Sequence, residues 1–366
     1  MGARVDVIME GAVAGDKIVG AELIVYRHGQ EALRRVAGHF DREAGVAMFE
    51  NAIYRLASVT KPIVASTALA MIDKGLLALD DLVADYLPYF TPTLPDGAPA
   101  PITIHHLLTH TAGLAYAYPG DASISTGLGA TDKDFADNFS RVAAQPLLFA
   151  PGTGWQYSVS IDVLGAVLAA IEGDSLDAAV RRHVTGPLGM NETGFFVADP
   201  ARLAKPYADG VPPQPMSDPQ AVRNAEGENT FFSPSRIFSA GAFQSGGAGM
   251  AGTPGDIMRL LEALRQGGKG VLKPETVALG VSNRIGALPR DPGQRFGYFG
   301  ATIDDPVAAD SPSARGTVNW GGVYGHSWLV DPANGITIVS MSNTALEGCT
   351  GNYPKQLIRA VYADLT

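Results

Sequence analysis

The chain has a single cysteine, Cys349, among its 366 residues. One thiol can form neither an intrachain disulfide nor a multi-cysteine metal site. Lysine and arginine form no block, and the formal charge is −10. That balance argues against nucleic acid and against an anionic membrane surface as partners. No stretch approaches the ~18 consecutive apolar residues of a membrane-spanning helix. The first residues, MGARVDVIMEGAVAGDKIVG, carry Asp6, Glu10 and Asp16 and lack the apolar core of a secretory signal. The expectation is a soluble, cytoplasmic protein. Internal repeats are also absent.

What is present is enough apolar material for a full core: 46% of residues are hydrophobic and 17% charged. VGAELIVYR at 19–27 reads as a strand, with 32–38 as its hairpin partner. A helix is expected over 60–74, with Gly75 as its stop and Val64, Ala68, Met71 and Ile72 on one face. Proline-rich segments at 91–101 and 205–219 punctuate short helices at 103–110, 132–144, 159–172 and 176–184. TPGDIMRLLEALRQGG announces a further helix, with Thr253 as N-cap, Pro254 at its first position and Asp256 in the capping-box place. Strands return at 296–303, 315–320, 324–330 and 335–341, and a last helix covers 354–364. This order predicts an α+β architecture. Residues 1–90 and 290–366 would form an antiparallel sheet domain, residues 91–289 a mainly helical one, with the active site in the cleft between them.

The stretch LASVTKPIVA holds the first chemistry. Ser58 and Lys61 are spaced i, i+3, so on a helix they share a face. Pro62 fits only a first turn, which puts Ser58 at the helix N-terminus. Free N–H groups there favour negative charge developing on the serine oxygen. A lysine among apolar neighbours can take part in proton transfer to such a nucleophile. Alone, S-x-x-K is a weak signal, since a lysine snorkelling from a helix end also explains it. Two other stretches add to it. PGTGWQYSVSIDVLGAV places Tyr157 just before a helix, where a phenol can relay a proton. NWGGVYGHSW sets Gly321 and Gly322 on a strand, where backbone N–H groups can bind an oxyanion.

Taken in order, RLASVTKPIVA, ITIHHLLTHTAGL, FAPGTGWQYS, SGGAGM and WGGVYGHSW resemble the serine β-lactamase and penicillin-binding-protein superfamily. Within it the chain looks like a family VIII carboxylesterase, a group similar to class C β-lactamases. The resemblance runs from about residue 18 to the end and implies a β-lactamase-like fold. It makes Ser58 the nucleophile that forms the acyl-enzyme, Lys61 its activating partner, and Tyr157 the base that passes a proton to the leaving group. It places the oxyanion hole at the backbone N–H groups of Ser58 and Val323. The implied activity is hydrolysis or transesterification of short-chain carboxylic esters, with no cofactor and no metal.

Two departures bear on substrate. Trp320 stands where β-lactamases carry the lysine of K-T-G, and Val159 stands at the asparagine of Y-x-N. Both remove polar contacts to a β-lactam and favour an uncharged acyl substrate. Substrate contacts are therefore expected at Trp320, Gly321, Gly322 and Val159. Tyr116 and Tyr118 either line the acyl pocket or pack as aromatics. His326 is either near the site or a buried, satisfied histidine. His106 and His110 are spaced i, i+4, but no H-E-x-x-H glutamate accompanies them, so no metal is expected. GAGMAG at 247–252 matches G-x-G-x-x-G without a preceding strand, and tight turns near the site explain it better than a dinucleotide. No serine stands in G-x-S-x-G, which speaks against an α/β-hydrolase nucleophile elbow. The alternatives are a β-lactamase or D-amino-acid peptidase or amidase on the same scaffold, and a binding module without turnover. The oligomeric state is not legible.

Overall fold

In the computed structural model, which describes residues 2–197, 199–224 and 227–365, one antiparallel sheet of eight strands organises the molecule. Its strands come from both ends of the chain. Their order is Gln294–Phe296, Ala301–Ile303, Val318–Gly322, His326–Asp331, Ile336–Ser342, Gly20–Arg27, Gln30–Asp41 and Val46–Ala47. The first long strand thus lies beside the last, in register from Ala21 opposite Ser342 to Arg27 opposite Ile336.

The period-2 alternation of side chains separates two apolar layers. Leu23 and Val25 point to one face, where the helices Ala3–Ala14 and Asn352–Leu365 pack through Val5, Met9, Leu357 and Val361. Ile24, Val339 and Met341 point to the other, into the main core with the helices Thr60–Asp73 and Pro254–Arg265. Among the described residues, no helix is long and apolar enough to cross a membrane.

Several expectations need correction. The helix Thr60–Asp73 does not bury one face. Every residue from Thr60 to Met71 is buried, and Ile72 is only half-buried. Its polar members satisfy themselves: Ser66 Oγ donates to the Pro62 carbonyl at 2.7 Å and Thr67 Oγ1 to the Ile63 carbonyl at 3.0 Å. A helix surrounded on all sides needs small residues rather than an apolar stripe. The strand expected at 296–303 is a hairpin, Gln294–Phe296 against Ala301–Ile303. Thr253 caps its helix by accepting from the Asp256 N–H at 3.3 Å, but the Asp256 carboxylate turns elsewhere and accepts from Glu192 N and Thr193 Oγ1. The sequence division puts the helix Pro254–Arg265 in the helical region 91–289. It packs instead on the sheet strands Ile336–Ser342 and Gly20–Arg27. The opening segment, for which no element was expected, is the helix Ala3–Ala14 laid against Asn352–Leu365.

Candidate active site

The chain reaches Ser58 through a sharp turn. Tyr54 and Arg55 pair with Gly252 and Ala251, and Leu56 N donates to the Met250 carbonyl at 2.8 Å. A single 3-10 turn, Ala57–Val59, then runs straight into the helix Thr60–Asp73. Ala57 sits at φ 44°. For a non-glycine residue this left-handed geometry costs ~1–2 kcal/mol. Its methyl group is buried against Phe232 and Tyr324, so packing holds the turn. Ser58 opens into a cleft of about 690 Å3, which Tyr157, Arg290, Trp320, Gly321 and Val323 also line. Lys61 lies one turn further in and is buried.

The side chains meet as a compact network. Lys61 Nζ donates to Ser58 Oγ at 3.1 Å, to Tyr116 OH at 2.9 Å and to the Gly247 carbonyl at 2.8 Å. Three ammonium protons thus have three acceptors. Tyr157 OH donates to Ser58 Oγ at 2.8 Å and accepts from Trp320 Nε1 at 3.2 Å. Lys61 Nζ also lies 4.7 Å from the Tyr157 ring centroid. Burial, then the neighbouring Tyr157, pushes the Tyr116 phenol well above its ordinary range, so it stays neutral beside the lysine.

Asp162 completes this wall, and no sequence motif pointed to it. It sits in the first turn of the helix Ser160–Glu172 and is fully buried. Its Oδ1 accepts from Ser245 Oγ and, at 3.2 Å, from Gly247 N. The carbonyl of that same Gly247 holds Lys61. Burial raises the Asp162 carboxyl, and the Lys61 charge opposes the rise. A signal was present: Asp162 is the one charged residue between Tyr157 and Glu172, in an otherwise apolar helix.

The opposite wall is the strand Val318–Gly322. The glycines have a packing reason here. A Cβ on Gly322 would lie 2.3 Å from the Leu56 carbonyl oxygen, and one on Gly321 would lie 2.6 Å from the His326 carbonyl oxygen and 2.9 Å from Cys349 Sγ. Bare backbone lets the strand close onto the nucleophile turn. Among the described residues, neither Ser58 N–H nor Val323 N–H has an acceptor. Two unpaired donors therefore stand in the cleft that Ser58 and Val323 both line.

Ser58, Lys61, Tyr157, Tyr116, Trp320, Gly321 and Val323 are thus brought together. Four expected contact residues are not. Val159 is fully buried as the N-cap of the helix Ser160–Glu172, and its side chain joins the core. Gly322 serves the packing just described. Tyr118 stands back from the nucleophile, its OH accepting from Ala115 N at 3.3 Å. His326 points to the back of its strand, where Nε2–H donates to the Arg55 carbonyl at 2.7 Å and the ring meets Tyr54 edge-on. Burial lowers its pKa to about 4. The neighbouring histidines have structural partners. His106 and Thr103 cap each other across one helix start, His105 pairs with Tyr298 OH, and His110 packs against the Tyr157 ring. The turns at 247–252 do lie at the site, through Gly247.

Comparison with known proteins gives the family. Residues 5–362 match the family model described as Beta-lactamase. The chain is 48% identical to Esterase EstB of Burkholderia gladioli, over 99% of this chain and 95% of that protein. The solved structure of EstCE1, a hydrolase with promiscuous acyltransferase activity, superposes with a TM-score of 0.94 at 39% identity, covering 98% of this chain and 97% of that one. A variant of simvastatin synthase from Aspergillus terreus shares the fold, with a TM-score of 0.76 at 22% identity, over 98% of this chain and 96% of that one. With a family model spanning nearly its whole length and a relative this similar, the chain belongs to the β-lactamase family.

Proposed function

We propose that this protein is a serine carboxylesterase that works through an acyl-enzyme on Ser58. The observation that carries the reading is the position of Ser58 Oγ, bonded at once to Lys61 Nζ and Tyr157 OH at the mouth of the cleft. With its own proton given up to solvent, the Tyr157 phenolate takes the Ser58 proton as Oγ attacks the ester carbonyl. The Lys61 charge and the Trp320 N–H both favour the negative charge that the phenolate oxygen carries before that transfer. The carbonyl oxygen, now an oxyanion, sits between the N–H groups of Ser58 and Val323. The tetrahedral adduct then collapses, the bond to the alcohol breaks, and Tyr157 returns the proton to the leaving alkoxide. Water, deprotonated by the same phenolate, releases the acid, and a second alcohol in its place gives transesterification.

Ester rather than β-lactam or peptide chemistry is favoured by the wall at Trp320. An indole replaces a charged side chain there, and Val159 offers the cleft no polar atom. The similarity to Esterase EstB and to EstCE1, a hydrolase with promiscuous acyltransferase activity, points the same way. Short acyl chains, a small-molecule substrate and a cytoplasmic setting complete the reading. An unpaired cysteine fits a reducing compartment.

The test is p-nitrophenyl butyrate hydrolysis by the wild type and by Ser58→Ala. Robust turnover that the substitution abolishes supports the reading. Turnover that survives it would assign the chemistry to another residue. Nitrocefin turnover comparable to ester turnover would favour the β-lactamase alternative.

A further inference from the structure

Arg290 stands in the cleft wall with no role in the chemistry above. Its side chain is only 4% exposed. Three rings enclose the guanidinium: its Cζ lies 5.1 Å from the Trp155 centroid, 5.5 Å from Trp320 and 5.7 Å from Phe296. Nη1 is engaged by Gln294 Oε1 and lies 3.4 Å from Asp291 Oδ2. That carboxylate is 70% exposed, so water screens it heavily. Nε is buried without a partner, and Nη2, which is not buried, has no protein partner among the described residues. Nε is enclosed by the protein, so a carboxylate in the cleft meets the guanidinium through Nη2, in a charge-assisted N–H···O bond. A cation stripped of water on its faces and left with unpaired donors is costly unless a partner arrives.

Its position says which part of a substrate it meets. Tyr157, which returns the proton to the leaving alcohol, is bonded to Trp320, and Arg290 lies against the Trp320 ring. We infer that Arg290 is an anion subsite on the alcohol side of the cleft, and that the preferred esters carry a carboxylate on their alcohol portion. This rests on the esterase reading and narrows it: the cleft lacks a cation at Trp320 itself but holds one behind it.

The experiment compares the butyrate esters of ω-hydroxyhexanoate and ω-hydroxyhexanamide, with p-nitrophenyl butyrate as reference. The two alcohols leave equally well and differ in charge. The wild type is expected to favour the carboxylate ester by about tenfold or more in kcat/KM, through KM. Arg290→Gln should bring the ratio to about one, Arg290→Lys should keep part of it, and ~1 M salt should reduce it in the wild type. Turnover of the amide and reference esters without preference for the carboxylate would overturn the subsite and leave the esterase reading intact. Equal loss on both esters in Arg290→Gln would also overturn it, marking the arginine as a brace for the aromatic wall. Inactivity on all three esters would remove the esterase reading, and the subsite with it.

Discussion

On the helical wall of the cleft, each N–H of Lys61 has an acceptor, and the Gly247 carbonyl that takes one of them is itself steadied through Asp162. On the strand wall, Val323 N–H, Arg290 Nε and Arg290 Nη2 have no partner among the described residues. The helical wall has its own exceptions in Ser58 N–H and the buried Asp162 Oδ2, but its cation, Lys61, is fully paired where the strand wall's Arg290 is not, and buried polar groups are ordinarily paired. The paired wall can hold charges in place before any substrate arrives. The unpaired wall gains its partners only when a substrate, or an oxyanion formed from it, is bound. On the proposed mechanism the first arrangement moves protons, and the second recognises.

Tyr157 OH is the atom that joins the walls, bonded to Ser58 on one side and Trp320 on the other. Its removal is the most damaging way to break the comparison. Tyr157→Phe is expected to lower kcat for p-nitrophenyl butyrate by ~100-fold or more with little change in KM. Turnover near the wild-type level would detach the phenol from the mechanism.

A smaller effect is expected deeper in the paired wall. Asp162→Asn keeps the shape but removes a carboxylate that interacts with the Lys61 charge. It should lower kcat by ~10-fold at unchanged KM, because the lysine shifts rather than the substrate. Ser245→Ala deletes the hydroxyl bonded to Asp162 but leaves the charge, and should lose less. Equal losses would make that hydrogen bond, not the charge, what holds the wall in place.

The contrast between the walls also tracks how readable each was. Ser58, Lys61, Tyr157, Trp320 and Val323 sit in local motifs, where spacing along one helix or strand sets geometry, and the structure brings them together. The α+β sheet was readable for the same reason, since strands of alternating pattern at both ends must find each other. Arg290 was not: ALPRDPGQ has no periodicity, and only the hairpin after it brings the guanidinium to the cleft. Val159 misled because a motif position says nothing of which way a helix cap turns its side chain. His326 was left open because the alternation of a strand gives two faces without naming them.

His326 offers the gentlest test, since it lies one residue from the cleft-lining Ser327 yet faces away. Burial lowers its pKa from 6.5 to about 4. The folded state therefore resists protonating it. The stability it contributes is fully present above pH 6.5 and is lost as the pH falls through about 4, a span worth about 3 kcal/mol. His326→Gln keeps an N–H for the Arg55 carbonyl but cannot titrate. The gap in unfolding free energy between wild type and variant, followed by denaturant titration, should accordingly narrow as the pH is lowered from about 7.5 to about 4. Turnover at about pH 8 should stay within about threefold, because the ring does not line the cleft and meets its walls only from behind, at the Arg55 carbonyl and at Gly322. A gap that stays constant would mean burial does not hold the ring neutral. A collapse of turnover at about pH 8 would mean the back of this strand positions Trp320 and Val323 as strictly as the front does, and the division between the two walls would have to be redrawn through it.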